Sequence, residues 1–470
     1  MTATVEADAR TGLHAALVAA VGEANVFTGE GIDDRYKVDL LQMSRCEPAF
    51  LVRPANTAEV AAVMRAANEY NIPVTPLGGR TGLVGGGMTD GIQISLERMS
   101  AIEEIDTTAM TMTVGAGCVL QTAHEAAEAQ GTLLPLDLGA RGTATIGGVI
   151  GTNAGGNRVL RWGMMADMVL GLEAVMADGT VITSLTKMLK DNAGYHWKHL
   201  LVGSEGTLGI VTRAVLRLRP LPRSIQTAIV ALPTFDAVVS TLRRLDAALA
   251  GRLSSFEVMW QDFYERVTEG NRAKREPPLP GGSPYYALVE SMGDDPEDEA
   301  PIFEKALARL LDDGLATDAV IAQSEGQRQD LWAVREDLAT LLSLNAADTF
   351  DVSMALGDMP RFIEDARRRL KERFGEYEMV CYGHAGDGNL HAIVAIGRSG
   401  HEAKYEVDEV VFESVRMVGG SIVGEHGVGT TRRPFMDRTR TADEIELMKR
   451  LKLAFDPKNL LNPGKIVVLQ

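Results

Sequence analysis

The chain has 470 residues, with 64 acidic and 47 basic side chains and a formal charge of −17. That balance excludes the phosphate-tracking surface of a nucleic-acid binder, although a local pocket can still be positive. A single core stops growing at roughly 250–300 residues, so two or more domains are expected.

Residues 1–26 contain Glu6, Asp8 and Glu23 and no sustained apolar run, so no signal peptide is expected. No apolar run reaches the ~18 residues of a membrane span, and a cytoplasmic protein is the default expectation. Residues 12–22 predict a short amphipathic helix. Residues 49–53 read as a strand, and Thr57 as the N-cap of a helix over 58–70 with Glu59 near its positive end. The glycine-rich run PLGGRTGLVGGG follows from Pro76, then strands at 92–96 and 111–115 and a helix at 119–130. A second glycine-rich run spans 139–156, and 169–183 predicts a hairpin turning at Asp178-Gly179. The third such stretch, 198–219, contains GSEGTLGIVT and ends at Pro220 and Pro222, which mark a domain boundary.

From 223 the pattern is strand (226–232), helix (235–249), strand (254–260), then strand (285–291), helix (298–314), strand (317–323). Two such β-α-β units predict an antiparallel sheet with helices on one face. A helix over 326–345, a strand over 350–356, a helix over 360–374 and two strands within 378–396 come next. Helices at 402–418 and 442–455 complete the chain. Cys46, Cys118 and Cys381 form no Cys-x-x-Cys pair, which excludes an iron–sulfur ligand set and makes a disulfide framework unexpected.

Two segments carry chemistry. The runs 78–87 and 139–156 are too glycine-dense for ordinary turns. Glycine lets several backbone N–H groups approach one anion, as a pyrophosphate requires; the bland alternative is close strand packing. Neither G-x-G-x-x-G nor a P-loop occurs, so the usual nucleotide folds are unsupported. In CYGHAGDGNLH, His384 and His391 flank a tight turn between two strand-like runs, which brings both imidazoles toward one point. Divalent ions accept imidazole plus carboxylate, and Glu425 in the glycine-flanked GEHGVG is a candidate third donor. A lone strand histidine is usually structural, but two flanking one turn weaken that reading.

PLGGRTGLVGG, IGGVIGTNAGG and GSEGTLGIVT, in this order, resemble the FAD-binding segments of the vanillyl-alcohol oxidase / p-cresol methylhydroxylase superfamily. From about residue 45 to Ile466 the chain is similar to the branch of D-lactate and D-2-hydroxyglutarate dehydrogenases, the glycolate oxidase flavin subunit included. The resemblance implies an α+β fold. A two-part FAD-binding domain (1–222) precedes a cap domain (223–440) whose antiparallel sheet is covered by helices. A last segment (441–470) returns to the FAD-binding domain.

It also implies FAD, with Gly78, Gly79, Arg80 and Thr81 at the diphosphate and Pro76 and Gly82 in the same loop. Asp137, Gly139, Thr143, Gly147, Gly148, Asn153 and Gly156 would line the flavin and ribityl chain. Glu205 and Ile210 would hold the adenine side, with Gly209 and Asn462 also at the cofactor. Arg80 and Thr81 stand where covalent members carry a flavin-linked histidine, so non-covalent FAD is expected.

By the same resemblance His384, His391 and Glu425 match the ligands of a divalent metal, zinc or manganese, and His426 matches the catalytic base. Asp387 and Asn389 are turn formers or partners of those ligands, and Arg335 in LWAVRED matches the arginine that pairs with the substrate carboxylate. The implied reaction oxidises a D-2-hydroxy acid to its 2-oxo acid, with hydride passing to flavin N5. An external acceptor, a quinone, an electron-transfer flavoprotein or a dye, then takes the electrons. An oxygen-using oxidase and a flavin subunit of a larger complex are the alternatives. Oligomeric state is open, a homodimer included. Where the D-2-hydroxyglutarate pattern has a threonine, a lysine and an asparagine, this chain has Ala339, Thr349 and Ile393, and Arg432 stands where a lysine is usual. The first three changes each remove a polar contact, so a monocarboxylate with an apolar side chain is expected.

Overall fold

The computed structural model describes residues 7–40, 44–269, 276–337, 344 and 347–469. The N-terminal half contains two small sheets and a two-stranded ribbon, Thr132–Leu133 with Arg219–Pro220. Strands Phe50–Val52, Ile92–Ser95 and Val74–Leu77 run parallel, with Val26–Phe27 antiparallel at one edge. Five antiparallel strands form the second sheet, in the order Ile102–Asp106, Thr111–Gly115, Ile210–Arg217, Val169–Val175, Val181–Ser184. The last two make the expected hairpin, with Gly179 in the left-handed region (φ +82°) at the turn.

Helix Thr57–Tyr70 joins the sheets: Val60, Val63 and Met64 share one core with Val74 and Ile92 of the first and Val175 and Ile210 of the second. Its N-cap is Asn56, not Thr57. The Asn56 side chain accepts from the Glu59 N–H, and Glu59 reaches back to the Ala55 N–H. Thr57 lies one residue inside the helix, where its hydroxyl donates to Glu173 at 2.5 Å and so bonds helix to sheet.

The C-terminal half is built on seven antiparallel strands. Their spatial order is Asp318–Ile321, Ser224–Leu232, Tyr285–Gly293, Leu253–Trp260, Glu378–Gly383, Asn389–Ala395, Ala347–Ser353. Helices Phe235–Leu249 and Pro296–Asp312 cover one face beside Ala228, Val230 and Leu232, and helices Met359–Phe374 and His401–Met417 continue the same core at the end of Phe350, Val352 and Leu390. The expectation of helices on one face needs correction. Helices Gln261–Thr268 and Glu325–Arg335 pack Phe263, Tyr264, Leu331 and Val334 on Ile229 and Ala231, the alternate residues of the same strand. Strand Leu253–Trp260 is accordingly buried along its whole length, which a one-sided sheet does not permit. The strand expected at 350–356 begins earlier, at Ala347. Of the helix expected over 326–345, residues 325–335 are helical, and most of its remainder lies outside the described residues. Among the described residues no helix is long and apolar enough to cross a membrane.

The last helix, Ala442–Phe455, opens with a Thr441–Glu444 capping box. Beyond it, Leu460 and Asn462 pair with Val74 of the parallel sheet through Val74 N–H to Leu460 O (2.7 Å) and Asn462 N–H to Val74 O (2.7 Å). A buried ion pair holds this tail. The Lys452 ammonium donates to Asp456 (2.5 Å), Leu461 O (2.6 Å) and Thr207 O (2.8 Å), while Asp456 accepts the Leu460 and Leu461 N–H groups. Breaking such a pair leaves a buried charge unpaired. Asp456→Ala is therefore expected to lower unfolding free energy by roughly 3–5 kcal/mol. Urea unfolding of the purified variant checks this, and a loss below about 1 kcal/mol would contradict it.

Candidate active site

One cavity of about 710 Å³ runs between the two glycine loops and reaches the edge of the seven-stranded sheet. Its first part is made of backbone. A Cβ on Gly79 would meet Thr143 O at 1.9 Å, so only glycine lets the two loops touch. Gly82 and Gly139, by contrast, face open space. Thr145 also lines the cavity, and its buried hydroxyl has no partner. A buried hydroxyl without a partner is rare and points to a ligand atom. Glycines that face open space, a channel of ligand size and an unused hydroxyl fit a bound dinucleotide.

Of the residues expected at the cofactor, all but Asp137, Asn153 and Asn462 line this cavity. Those three side chains are engaged elsewhere. Asp137 pairs with Arg141 (2.7 Å) and Arg158 (3.1 Å). Asn153 accepts from the Ala166 N–H. Asn462 bonds Thr75, Gly86 O and Glu205 O. Glu205 lines the wall, but its carboxylate accepts the Val428 N–H (2.6 Å) and the Gly429 N–H (2.9 Å). Its link to the rest of the molecule is thus to the 424–429 turn. Burial raises its pKa, and those two N–H groups oppose the rise.

At the other end of the cavity the strand register sets the order of groups. Tyr382, His391 and Asp351 stand opposite one another on adjacent strands. Two residues along, and therefore on the same face, come Val380, Ile393 and Thr349. His384 begins the tight turn after strand Glu378–Gly383, with Gly388 at φ +85°. Glu425 and His426 arrive on the glycine turn 424–429, where a Cβ on Gly424 would meet Asn389 Nδ2 at 1.7 Å.

The expected metal and base residues thereby meet. The His384 and His391 rings lie 5.1 Å apart, and the His391 and His426 rings 6.1 Å apart, between centroids. His384 Nε2 is 3.7 Å from Glu425 Oε1, which also accepts the Gly156 N–H from the second glycine loop (2.9 Å). Arg335, Thr349 and Ile393 line the same space, while Ala339 lies outside the described residues. Arg432 does not line it. It stacks between Phe350 and Phe412 and donates to Asp408 and to Thr349 O.

Two buried carboxylates that sequence reasoning gave no role organise these groups. Glu257 is 1% exposed and bonds His384 Nδ1 (2.7 Å) and Arg335 Nε and Nη2 (2.8 and 2.7 Å). Burial opposes its ionisation, but the His384 and Arg335 charges outweigh that and hold its pKa down to about 2. Burial likewise works against the His384 charge, and Glu257 more than compensates, raising that imidazole to about 9. Asp351 accepts from the Glu425 N–H (2.7 Å), the His426 N–H (2.8 Å) and Asn389 Nδ2 (2.7 Å). Burial pushes its pKa up, but the neighbouring His426 and His391 hold it below the usual carboxylate range. Burial and the nearby His384 charge push His391 well down. The available signal for Glu257 was an acid inside an otherwise apolar strand, SSFEVMW.

Among the described residues no group of three or more His, Cys, Asp or Glu side chains is already set to hold a metal ion. The donor types nevertheless suit one. His384 is oriented through Nδ1 by Glu257, which leaves Nε2 toward Glu425 and His391, and metal-bound histidines are commonly held in this way.

Residues 48–184 match the FAD binding domain family and residues 221–466 the family of FAD linked oxidases, C-terminal domain. The chain belongs to the FAD-linked oxidases. It is 36% identical over 427 residues to the D-2-hydroxyglutarate dehydrogenase of Xanthomonas citri pv. viticola, covering 89% of each chain. It is 37% identical over 435 residues to the mitochondrial D-2-hydroxyglutarate dehydrogenase of Bos taurus, covering 92% of this chain and 79% of that one. A putative mitochondrial D-lactate dehydrogenase of Schizosaccharomyces pombe is 32% identical over 446 residues, with 92% and 84% covered. The solved structure of p-cresol methylhydroxylase shares the fold at TM-score 0.77, with 17% identity and 99% and 98% covered. The chain is thus an FAD-dependent oxidoreductase acting on CH–OH groups.

Removing the Glu205 carboxylate leaves two turn N–H groups without their acceptor. Glu205→Ala is expected to destabilise by roughly 1–3 kcal/mol. Because the turn carries Glu425 and His426, turnover should also fall by about 10²-fold, as misplaced catalytic groups do. Glu205→Gln keeps an acceptor and should fall between. Thermal unfolding and steady-state turnover of both variants test this, and wild-type turnover in Glu205→Ala would contradict it.

Proposed function

We propose that this oxidoreductase oxidises a D-2-hydroxy acid to the 2-oxo acid on non-covalent FAD. The observation that carries the reading is the single cavity that joins the glycine loops to Arg335, His384, His391, Glu425 and His426. The similarity to the Xanthomonas and bovine D-2-hydroxyglutarate dehydrogenases and to the putative fission-yeast D-lactate dehydrogenase supports it. The glycine loops would hold the FAD diphosphate on backbone N–H groups. When bound, FAD supplies a two-electron acceptor for the C2 hydride.

Arg335 would take the substrate carboxylate. Glu257 fixes the guanidinium through Nε and Nη2, and stacking on Tyr382 at 4.6 Å fixes its plane. A guanidinium already ordered in this way loses little freedom on pairing. His426 would take the hydroxyl proton. Its Nδ1 lies 3.5 Å from Asp351 Oδ2, so Nε2 is the nitrogen left for the substrate, and Asp351 stabilises the imidazolium formed. His384, His391 and Glu425 would hold a divalent ion, zinc or manganese, whose chemistry is to lower the hydroxyl pKa. The external electron acceptor would be a quinone, an electron-transfer flavoprotein or a dye.

Anaerobic addition of D-2-hydroxy acids to the yellow protein should bleach the flavin, and L-enantiomers should not. Bleaching by no 2-hydroxy acid would sink the reading. Acid should release free FAD. A chelator should slow bleaching, and an unchanged rate would remove the metal from the scheme while leaving the rest standing. His426→Ala should lower the rate of bleaching by about 10²–10⁴-fold. Dye reduction in excess of peroxide formation in air is expected for a dehydrogenase.

A further inference from the structure

We propose that the subsite beside His391 takes an uncharged, apolar substrate side chain, so that the substrate is a D-2-hydroxy monocarboxylate rather than a dicarboxylate. This rests on the reading of the site as a D-2-hydroxy-acid centre. It departs from the substrate for which the Xanthomonas and bovine relatives are named.

The direction of the side chain follows from register. Val380, Ile393 and Thr349 stand one pleat along from Tyr382, His391 and Asp351 on the same sheet face. A substrate held at His391 and Arg335 therefore presents its next carbons to Ile393 and Thr349, both of which line the cavity. Ile393 is 1% exposed and packs with Val380, Val334 and Leu331 in one apolar cluster.

A second carboxylate there needs a second cation, because an unpaired buried carboxylate is strongly disfavoured. Among the described residues the cavity offers two Arg or Lys side chains, Arg80 and Arg335. Arg335 already shares its charge with Glu257 and is needed for the first carboxylate. Arg80 belongs to the first glycine loop, where it donates to Arg35 O and lies over the Tyr36 ring at 4.9 Å.

The cations behind strand Ala347–Ser353 are engaged on the helical side. Lys404 bonds Asp348 (2.6 Å) and Asp408 (3.4 Å). Arg432 bonds Asp408 (2.8 Å) between the Phe350 and Phe412 rings. The sequence 338–346, LATLLSLNA, contains no Lys, Arg or His. The charge lining the cavity near Arg335 is instead another anion, Glu336, whose pKa burial and Asp137 raise. A dicarboxylate would place its distal charge against Ile393, with Glu336 in the same cavity and, among the described residues, no cation of the cavity left to pair with it.

The experiment is anaerobic flavin reduction by the FAD-loaded protein with D-2-hydroxy-4-methylpentanoate, D-3-phenyllactate, D-lactate and D-2-hydroxyglutarate. The three apolar acids are expected to exceed D-2-hydroxyglutarate in kcat/KM by about tenfold or more, the size of difference a pocket contact sets. A kcat/KM for D-2-hydroxyglutarate equal to or above theirs would overturn the proposal while leaving the D-2-hydroxy-acid reading intact. No reduction by any of the four would bring down that reading and the proposal with it.

Thr349→Lys supplies the missing cation on the cavity face. It is expected to raise D-2-hydroxyglutarate relative to the 4-methylpentanoate analogue by about tenfold or more, with retained FAD absorbance reporting a folded protein. A ratio that does not move in a yellow variant counts against Thr349 as part of the subsite. If that variant loses its flavin, Thr349→Arg and the wild-type substrate ratio decide.

Discussion

The glycine turn 424–429 is the constraint on which the site depends. It carries Glu425 and His426, yet it has no regular secondary structure of its own. Two buried carboxylates hold it from opposite sides. Asp351, on the edge strand of the seven-stranded sheet, accepts the Glu425 and His426 N–H groups, and Glu205, from the N-terminal half, accepts those of Val428 and Gly429. Thr430 N–H to Val84 O adds a third tie, to the first glycine loop. Four N–H groups that donate to carboxylates fix a segment that would otherwise sample many conformations. The position of His426 relative to the cavity is thus set by residues from both halves of the chain.

The same economy of charge runs through the reacting end. Glu257 binds an arginine and a histidine, Asp351 faces two histidines, and Glu425 bonds the second glycine loop. Glu257 and Asp351 are buried and Glu425 is half-buried, and each lies against positive groups or N–H donors that make its ionised form tolerable. His384 and His391 are pushed in opposite directions although both are buried. Glu257 contacts the first, while the second feels the charge of the first. Neighbouring groups of one type with divergent protonation are a hallmark of sites that move protons.

How much of this the sequence disclosed depended on the kind of feature. Glycine density at 78–87 and 139–156, and the histidines flanking the 385–390 turn, were visible because unusual residues cluster locally. The hairpin at Asp178-Gly179 and the β-α-β units of the cap were visible because period and punctuation are local too. The Asn56 cap was misread because Asn and Thr both suit that position, and the contact of Thr57 with Glu173 lies 116 residues away. Glu257 and Asp351 received no role for the same reason. Their partners are 127 and 75 residues distant, and an isolated acid in a strand announces nothing about them. Glu205 was assigned to adenine by resemblance; its two bonds to the 424–429 turn connect positions 223 and 224 residues apart.

A cofactor held on backbone N–H groups makes a particular demand of the protein. Such a cradle adds no covalent anchor, so the loops must keep their shape by other means. Here the loops are braced against each other and against the cap. Gly79 packs on Thr143, Gly156 N–H donates to Glu425, and Asn462 ties the chain's end to Thr75, Gly86 and Glu205. Asn462 thereby acts at a distance from the cavity it does not line, as does Lys452 through Thr207 O. The tail after residue 455 is therefore part of the cofactor site's support. Gly156 and Glu425 share a hydrogen bond across the boundary between the halves, so a shift of the second glycine loop moves a candidate metal ligand with it. The cavity wall and the turn carrying His426 are thus tied through that contact and through Glu205.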